Sequence, residues 1–257
     1  MTQLWNQFIF QPMINALLWL YSSLGHNFGL SIVVFTLLVR VITLPFTLQQ
    51  LRSAKASQDM QPKLAELQKK HKGDKDKLAQ EQMKLYKEAG INPLGCVVPM
   101  LIQFPVWIGL YQSIMTVVPD SPLQLLNLAR HIYLTFSHLL PLNAVLFGIN
   151  LARPFPALAV LVVATQWVLQ KMMTPVASTP QQAAQNQSME LTMPLVFGLI
   201  TLNLASGLGL YFLTTNIASM VQQYFVTGWG SLAPMLNSLG LRVSVAAPKD
   251  KGNGRKK

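Results

Sequence analysis

The stretch LSIVVFTLLVRVITLPFTL, residues 30–48, decides how this chain folds: it is apolar throughout except for scattered hydroxyls and one charge, Arg40, at its centre. A bilayer core needs about 17–25 predominantly apolar residues per spanning helix, so the stretch reads as a span carrying a guanidinium. Arg40 follows the start of the stretch by ten residues, which at about 1.5 Å per residue puts it roughly 15 Å deep. An arginine at the centre of a span costs about 2.5–3.5 kcal/mol on insertion scales. Something has to solvate it.

An acidic partner is the usual solution, and the chain has none at that depth. Asp59, Glu66, Asp74, Asp76, Glu81 and Glu88 lie between the first two spans, Asp120 in the next loop, Glu190 just before the fourth span and Asp250 in the tail. Water in a polar cavity remains, with hydroxyls and amides completing the shell. Thr36, Arg40, Thr43 and Thr47 recur at spacings of four, three and four, which places them on one stripe of a helix. Gln103 lies in the second span, Gln166 and Gln170 share a face of the third, Asn203 is in the fourth, and Thr215, Ser219 and Gln222 share a face of the fifth. The pattern predicts that these groups converge on a hydrated groove open to the cytoplasm.

Outward from this stretch the chain stays apolar. It is 51% hydrophobic and 11% charged, whereas a soluble domain carries about a quarter of its residues as charges. Residues 89–119, 154–170 and 191–241 contain no charge. The expected spans are therefore 29–49, 92–118, 155–173, 191–205 and 206–228, the last two parted by a turn at Ala205-Ser206-Gly207. Residues 1–28 read as an amphipathic helix lying in the interface. Trp5, Phe8, Ile9, Met13, Leu17 and Leu20 share its apolar face, and Asn6, Gln7, Gln11 and Asn15 lie mostly away from it. In the loop 119–154, residues 132–152 are uncharged but interrupted by His138, Pro141, Asn143 and Asn150, which suggests a re-entrant or interfacial segment rather than a sixth span. Residues 174–190 form the loop on the other side.

The charges set the orientation. Ten Lys/Arg fall in residues 49–90 and six in 242–257, against Arg130 and Arg153 in 119–153. Basic loops stay in the cytoplasm, so the N-terminus is expected outside, with residues 50–91 and the tail 229–257 inside. Residues 50–91 read as a polar helical hairpin: Leu64 and Leu67 on one arm, Leu78 and Leu85 on the other, a turn at Lys72-Gly73-Asp74, and Asp74 or Asp76 capping the second arm. Its apolar surface is too small for a core of its own.

Several chemistries drop out. Cys96 is the single cysteine, which excludes an intrachain disulfide, a zinc cluster and a CxxC pair. No basic region precedes the first apolar stretch, so no cleavable signal peptide is expected. His26, His71, His131 and His138 are scattered, and no carboxylate pair, metal-ligand cluster, nucleophile–base pair or phosphate loop can be assembled. We therefore expect no enzyme, no cofactor and no metal. The net charge of +11 lies outside the apolar segments and fits a membrane surface rather than DNA. The tail suits anionic lipid and ribosomal RNA equally, at about 1 kcal/mol per basic residue near an anionic leaflet. An anion or solute pathway around Arg40 and a scaffold that clamps other membrane helices are the alternative readings. The lack of an intramembrane acid speaks against ion-coupled transport.

The run 39–47, VRVITLPFT, resembles the first helix of the YidC family of membrane protein insertases, with its single intramembrane arginine. Met60-Gln61-Pro62-Lys63 is similar to the opening of that family's cytoplasmic hairpin. Asn92-Pro93-Leu94-Gly95-Cys96, followed by Pro99, Ile102-Gln103, Pro105 and Leu110-Tyr111, resembles its most specific signature. Ser206-Gly207-Leu208, Leu210-Tyr211 and Asn216 match the start of its last helix. The resemblance runs from about residue 8 to 228.

It implies a compact bacterial insertase in the plasma membrane. Five core helices would surround a groove open to cytoplasm and lipid and closed outside. The resemblance makes Arg40, Thr36, Gln103 and Tyr211 groove positions, alongside Thr43, Gln166, Gln170, Thr215 and Ser219 from the stripes above. It further implies nascent membrane proteins as substrates, whose apolar span leaves along the third and fifth helices, a hairpin that recruits them, and ribosome or Sec translocon as partners. Two positions depart from the family pattern: Ala205 stands where many members have proline, and Phe212 where Tyr or Trp is common.

Overall fold

The computed structural model describes residues 3–71, 74–88, 97–117, 132–133, 142–174, 177, 180–238 and 240. The N-terminal helix α1 consists of contiguous pieces, Gln3–Trp5, Asn6–Phe10 and Gln11–Ser23, the middle one a wider π turn. Pro12 explains the widening: it has no N–H for the preceding turn, and the helix loosens just before it. Among the described residues five long helices follow, interrupted by a hairpin. They are α2 Phe28–Asp59, the hairpin arms α3 Gln61–Lys70 and α4 Lys75–Glu88, α5 Val97–Val117, α6 Pro156–Met173, α7 Pro180–Asn203 and α8 Ser206–Thr227. A short turn, Gly230–Leu232, and α9 Ala233–Ser238 end the described chain.

Two helices outrun their expected bounds. α2 does not stop near residue 49 but continues to Asp59, because residues 49–59 contain no glycine or proline and several strong helix formers. At about 1.5 Å per residue its 32 residues span roughly 48 Å, well beyond a hydrocarbon core of about 30 Å. Similarly, residues 180–190 are helix, not loop: α7 begins at Pro180, a residue compatible with a first helical position.

Within the loop 119–154, the described residues of 132–152 include a short β-hairpin. Val145–Leu146 and Ile149–Asn150 pair antiparallel as β1 and β2, turning at Phe147 (φ 49°) and Gly148 (φ 81°), the positive-φ pair of a tight hairpin. The asparagines that interrupt the apolar run are turn formers: Asn143 Oδ1 accepts the Val145 N–H at 3.2 Å and Asn150 Oδ1 the Ala152 N–H at 2.9 Å. His138 and Pro141 lie outside the described residues.

This hairpin plugs one end of the bundle, here the loop end. The first N–H groups of α8 have no partner within their own helix and are met by loop carbonyls: Ser206 N–H by Arg153 at 3.0 Å and Gly207 N–H by Leu151 at 2.9 Å. Ser206 Oγ adds a bond to the Asn150 carbonyl at 2.9 Å. The turn at Ala205 is thereby secured without a proline. Around it Ile14, Leu17, Leu18, Phe28, Ile32, Leu110, Ile114, Leu151 and Leu208 are fully buried. The buried face of α1 is rotated from the one expected: Phe8 is 69% exposed while Asn15 is 3% exposed. Asn15 tolerates burial because it is satisfied, donating to the Gln11 carbonyl and accepting the Tyr133 N–H.

At the opposite, tail end, α8 is tied to both neighbours. Lys55 Nζ on α2 donates to the Val226 carbonyl at 3.2 Å, and Gln223 Nε2 on α8 donates to the Met172 carbonyl of α6. Ser231 Oγ reaches the Lys171 carbonyl. Lys171 in turn pairs with Glu190, bracing α6 on α7. In the hairpin Asp74 is the cap of α4, its Oδ1 accepting the Lys77 N–H at 3.1 Å. Outward, Leu37, Leu38, Val41, Ile42, Val160, Leu161, Leu195, Leu199, Ile217, Val221 and Phe225 are exposed. An apolar surface of that extent belongs against lipid.

Candidate functional site

Between the long helices lies a cavity of about 550 Å³. α2 contributes Arg40, Thr43, Phe46, Thr47, Gln50 and Leu51; α5 contributes Gln103, Phe104 and Trp107; α6 contributes Gln166, Leu169 and Met173. α7 adds Val196, Phe197 and Ile200, and α8 adds Tyr211, Phe212, Thr215, Asn216, Ser219, Gln222 and Gln223. The sides differ in kind. α2 and α8 present most of the polar groups, and α5 and α7 present mainly apolar and aromatic side chains.

Arg40 enters the cavity from α2. Its Nη2 lies 3.4 Å from the Thr215 carbonyl, a long contact that occupies one of five N–H donors. Among the described residues no carboxylate approaches it within ion-pair distance. Its helix neighbours cannot donate to an anion either. The hydroxyls of Thr43 and Thr47 bond back to the carbonyls of Val39 and Thr43 at 2.8 and 3.0 Å, the self-satisfaction that hydroxyls find inside apolar helices. Deeper toward the loop end, Gln103 Nε2 donates to the Tyr211 hydroxyl.

Of the residues picked from the sequence, Arg40, Thr43, Thr47, Gln103, Gln166, Tyr211, Thr215, Ser219 and Gln222 line this cavity. Three do not. Thr36 is 1% exposed in the core and bonds to the Ile32 carbonyl; it shares a stripe with Arg40 but lies one turn too far toward the plugged end. Gln170 lies outside the lining, one turn beyond Gln166, where α6 closes on the Gly230–Leu232 turn. Asn203 is exposed at the end of α7 and bonds to the Leu199 carbonyl. Gln50, Asn216 and Gln223 were missed. Their signal was present: Asn216 and Gln223 form a second polar stripe beside Thr215, Ser219 and Gln222, and Gln50 extends the Arg40–Thr47 row.

The walls are unequal. α8 packs along both α2 and α6, and α6 packs along α7, whereas among the described residues α5 and α7 make at most slight contact. The third and fifth spans, α6 and α8, along which the apolar exit is expected, pack against one another. The gap lies between the second and fourth, α5 and α7, where Phe104 and Val196 are exposed. Phe212 crosses this gap at depth, 6.3 Å from the Trp107 ring and 5.1 Å from Phe197, in the position where a polar-tipped ring was expected.

Residues 19–231 match the family model described as 60Kd inner membrane protein. The chain is 34% identical over 222 residues to the membrane protein insertase YidC of Syntrophus aciditrophicus, an alignment covering 86% of this chain and 37% of that protein. It is equally identical to the one from Aeromonas salmonicida, covering 86% and 36%. The chain thus spans a little over a third of the length of these relatives. A solved structure titled "Active YidC insertase crystal structure with the first transmembrane domain resolved" has a TM-score of 0.57 at 24% identity, covering 84% of this chain and 45% of that one. That likeness concerns the fold.

Proposed function

Because the chain belongs to the 60Kd inner membrane protein family and folds as an all-α integral membrane protein, we propose that it is a membrane insertase working without covalent chemistry. The observation that carries this reading is Arg40, set in a cavity with no carboxylate partner among the described residues. A positive charge and polar groups part-way into a bilayer shorten the low-dielectric path that an acidic segment has to cross. The polar wall of α2 and α8 holds that segment. The apolar lip of α5 and α7 receives the span that follows it, and the gap between them leads to lipid. Nascent membrane proteins are the substrates, the N-terminus and the plugged loop end face outward, and the α3–α4 hairpin and tail lie in the cytoplasm of a bacterial cell. Residues 241–257 of the tail are outside the described residues; ribosome contact through the tail and work beside a Sec translocon belong to this proposal.

The test is insertion into proteoliposomes of single-span substrates with acidic or neutral translocated segments. Arg40→Ala is expected to lower insertion of the acidic substrate about tenfold and the neutral one less, and Arg40→Lys to retain most activity. Equal insertion by Arg40→Ala and wild type would remove the mechanism. Saturable solute uptake by the same vesicles would favour a transporter instead.

A further inference from the structure

Arg40 supplies donors; the rest of the cavity is rich in a different group. Six carboxamides line it: Gln50, Gln103, Gln166, Asn216, Gln222 and Gln223. Three have their NH₂ engaged by the protein. Gln103 Nε2 donates to the Tyr211 hydroxyl, Asn216 Nδ2 to Thr165 Oγ1 at 3.2 Å, and Gln223 Nε2 to the Met172 carbonyl at 3.3 Å. The last two bonds fix which end of the amide is which, because the Thr165 hydroxyl already donates to backbone carbonyls and Met172 offers only a carbonyl, and they leave the carbonyl oxygen as the group on offer. The Oε1 atoms of Gln222 and Gln223 are buried and have no hydrogen-bond partner, and Gln223 as a whole is 2% exposed. A buried carbonyl without a partner costs free energy, so these two adjacent oxygens, with the other carboxamides lining the same cavity, point to something that donates.

The carboxamides are spread in depth. Gln223 and Gln222 sit on the last turns of α8, Asn216 two turns deeper, and Gln103 meets α8 at Tyr211. Twelve residues of helix from 211 to 223 rise about 18 Å, the reach of roughly five residues of extended chain. An extended peptide entering here carries one N–H per residue, and in a bilayer each unpaired one costs several kcal/mol. We propose that these carboxamide oxygens accept hydrogen bonds from the backbone N–H groups of the extended translocated segment, a recognition of the peptide main chain that is independent of its side chains. This rests on the insertase reading and divides the labour within it: Arg40 reads acidic side chains, the carboxamides read backbone.

The experiment changes the substrate, so the wild-type protein can be used. A single-span substrate with a neutral translocated segment is synthesised with α-hydroxy acids at five successive positions, replacing backbone N–H by ester oxygen. Its insertion into proteoliposomes is compared with the all-amide substrate and with protein-free liposomes. Esters are less polar than amides and cross lipid more easily unaided, so a loss runs against that bias. The expected result is about a five-fold fall in protein-dependent insertion, the size of one lost hydrogen bond. In a Gln222→Leu/Gln223→Met variant, the two substrates are expected to insert at rates closer to one another. Equal protein-dependent insertion of ester and amide substrates by the wild type overturns the backbone reading alone. If the all-amide substrate inserts no better than in protein-free liposomes, the insertase reading fails and this one with it.

Discussion

The Lys171–Glu190 pair makes a prediction about asymmetry. It joins α6 to α7, and the partners are unequally covered: the side chain of Glu190 is 10% exposed and that of Lys171 28%. The Lys171 stem lies along Trp167, its Nζ 6.0 Å from the ring centroid. Opposite charges about 4 Å apart gain roughly 4 kcal/mol at an effective dielectric near 20, before desolvation is subtracted. What each single substitution costs then depends on the group left behind. Lys171→Met keeps the stem's packing but strands a carboxylate in the protein, which places its cost near the lower end of the buried range, about 3 kcal/mol. Glu190→Gln strands an ammonium on a long stem that can turn to the membrane surface, so the cost is about 1 kcal/mol, as for exposed pairs. The double variant removes the stranded charge and is expected to lie about 1 kcal/mol below wild type. Unfolding in mixed SDS micelles, followed by tryptophan fluorescence, measures all three. Equal losses for the two single variants, or a larger loss for Glu190→Gln, would refute the claim that the stranded carboxylate dominates.

Gly230 adopts φ +51° and a Cβ there would lie 2.2 Å from the Met172 carbonyl oxygen, whereas Gly25 has φ +67° and open space around it. Gly25→Ala is expected to cost about 1–2 kcal/mol for the left-handed backbone alone; Gly230→Ala must cost clearly more in the same unfolding assay, because the turn has to leave the end of α6. Lys55 donates to a carbonyl in the last turn of α8, where the helix end carries partial negative charge. Lys55→Met should cost about 0.3–1 kcal/mol and broaden the distance distribution between spin labels at Arg52 and Phe225 in a Cys96→Ser background. An unchanged width would mean that α2 and α8 need no tie. Asp74 is held below the usual carboxylate range by the Lys77 backbone N–H first, and then by the Lys77 side chain. Its contribution to α4 is therefore present above the ordinary value of about 3.9 and lost as pH falls through the lowered folded value. Amide exchange at Lys77 should accelerate over that window in wild type and show no such step in Asp74→Asn, which keeps a cap but does not titrate.

How much of this was legible beforehand divides along a physical line. Arg40 and its want of a carboxylate could be read directly, because they rest on transfer costs that depend on composition over about twenty residues. The stripes along α2 and α8 were legible for the same kind of reason: residues three and four apart share a face whatever the helix packs against. The turn roles of Asn143 and Asn150 were not legible because an uncharged run hides short-range turn chemistry, and a span-length window averages over it. The full lengths of α2 and α7 were not legible because the span bounds follow apolarity, which stops at the bilayer, while helix propensity does not.

Sequence alone therefore determined the all-α membrane character, the guanidinium set within an apolar stretch, and the need for polar groups to hold it. Tertiary structure decided which polar residues meet. Thr36 and Arg40 share a stripe, yet the first is buried in the core and the second lies in the cavity. It also decided that the gap falls between α5 and α7, and that α1 buries Asn15 and exposes Phe8. These outcomes depend on how each helix is rotated against neighbours distant in the chain, and residue spacing within one helix carries no information about that rotation.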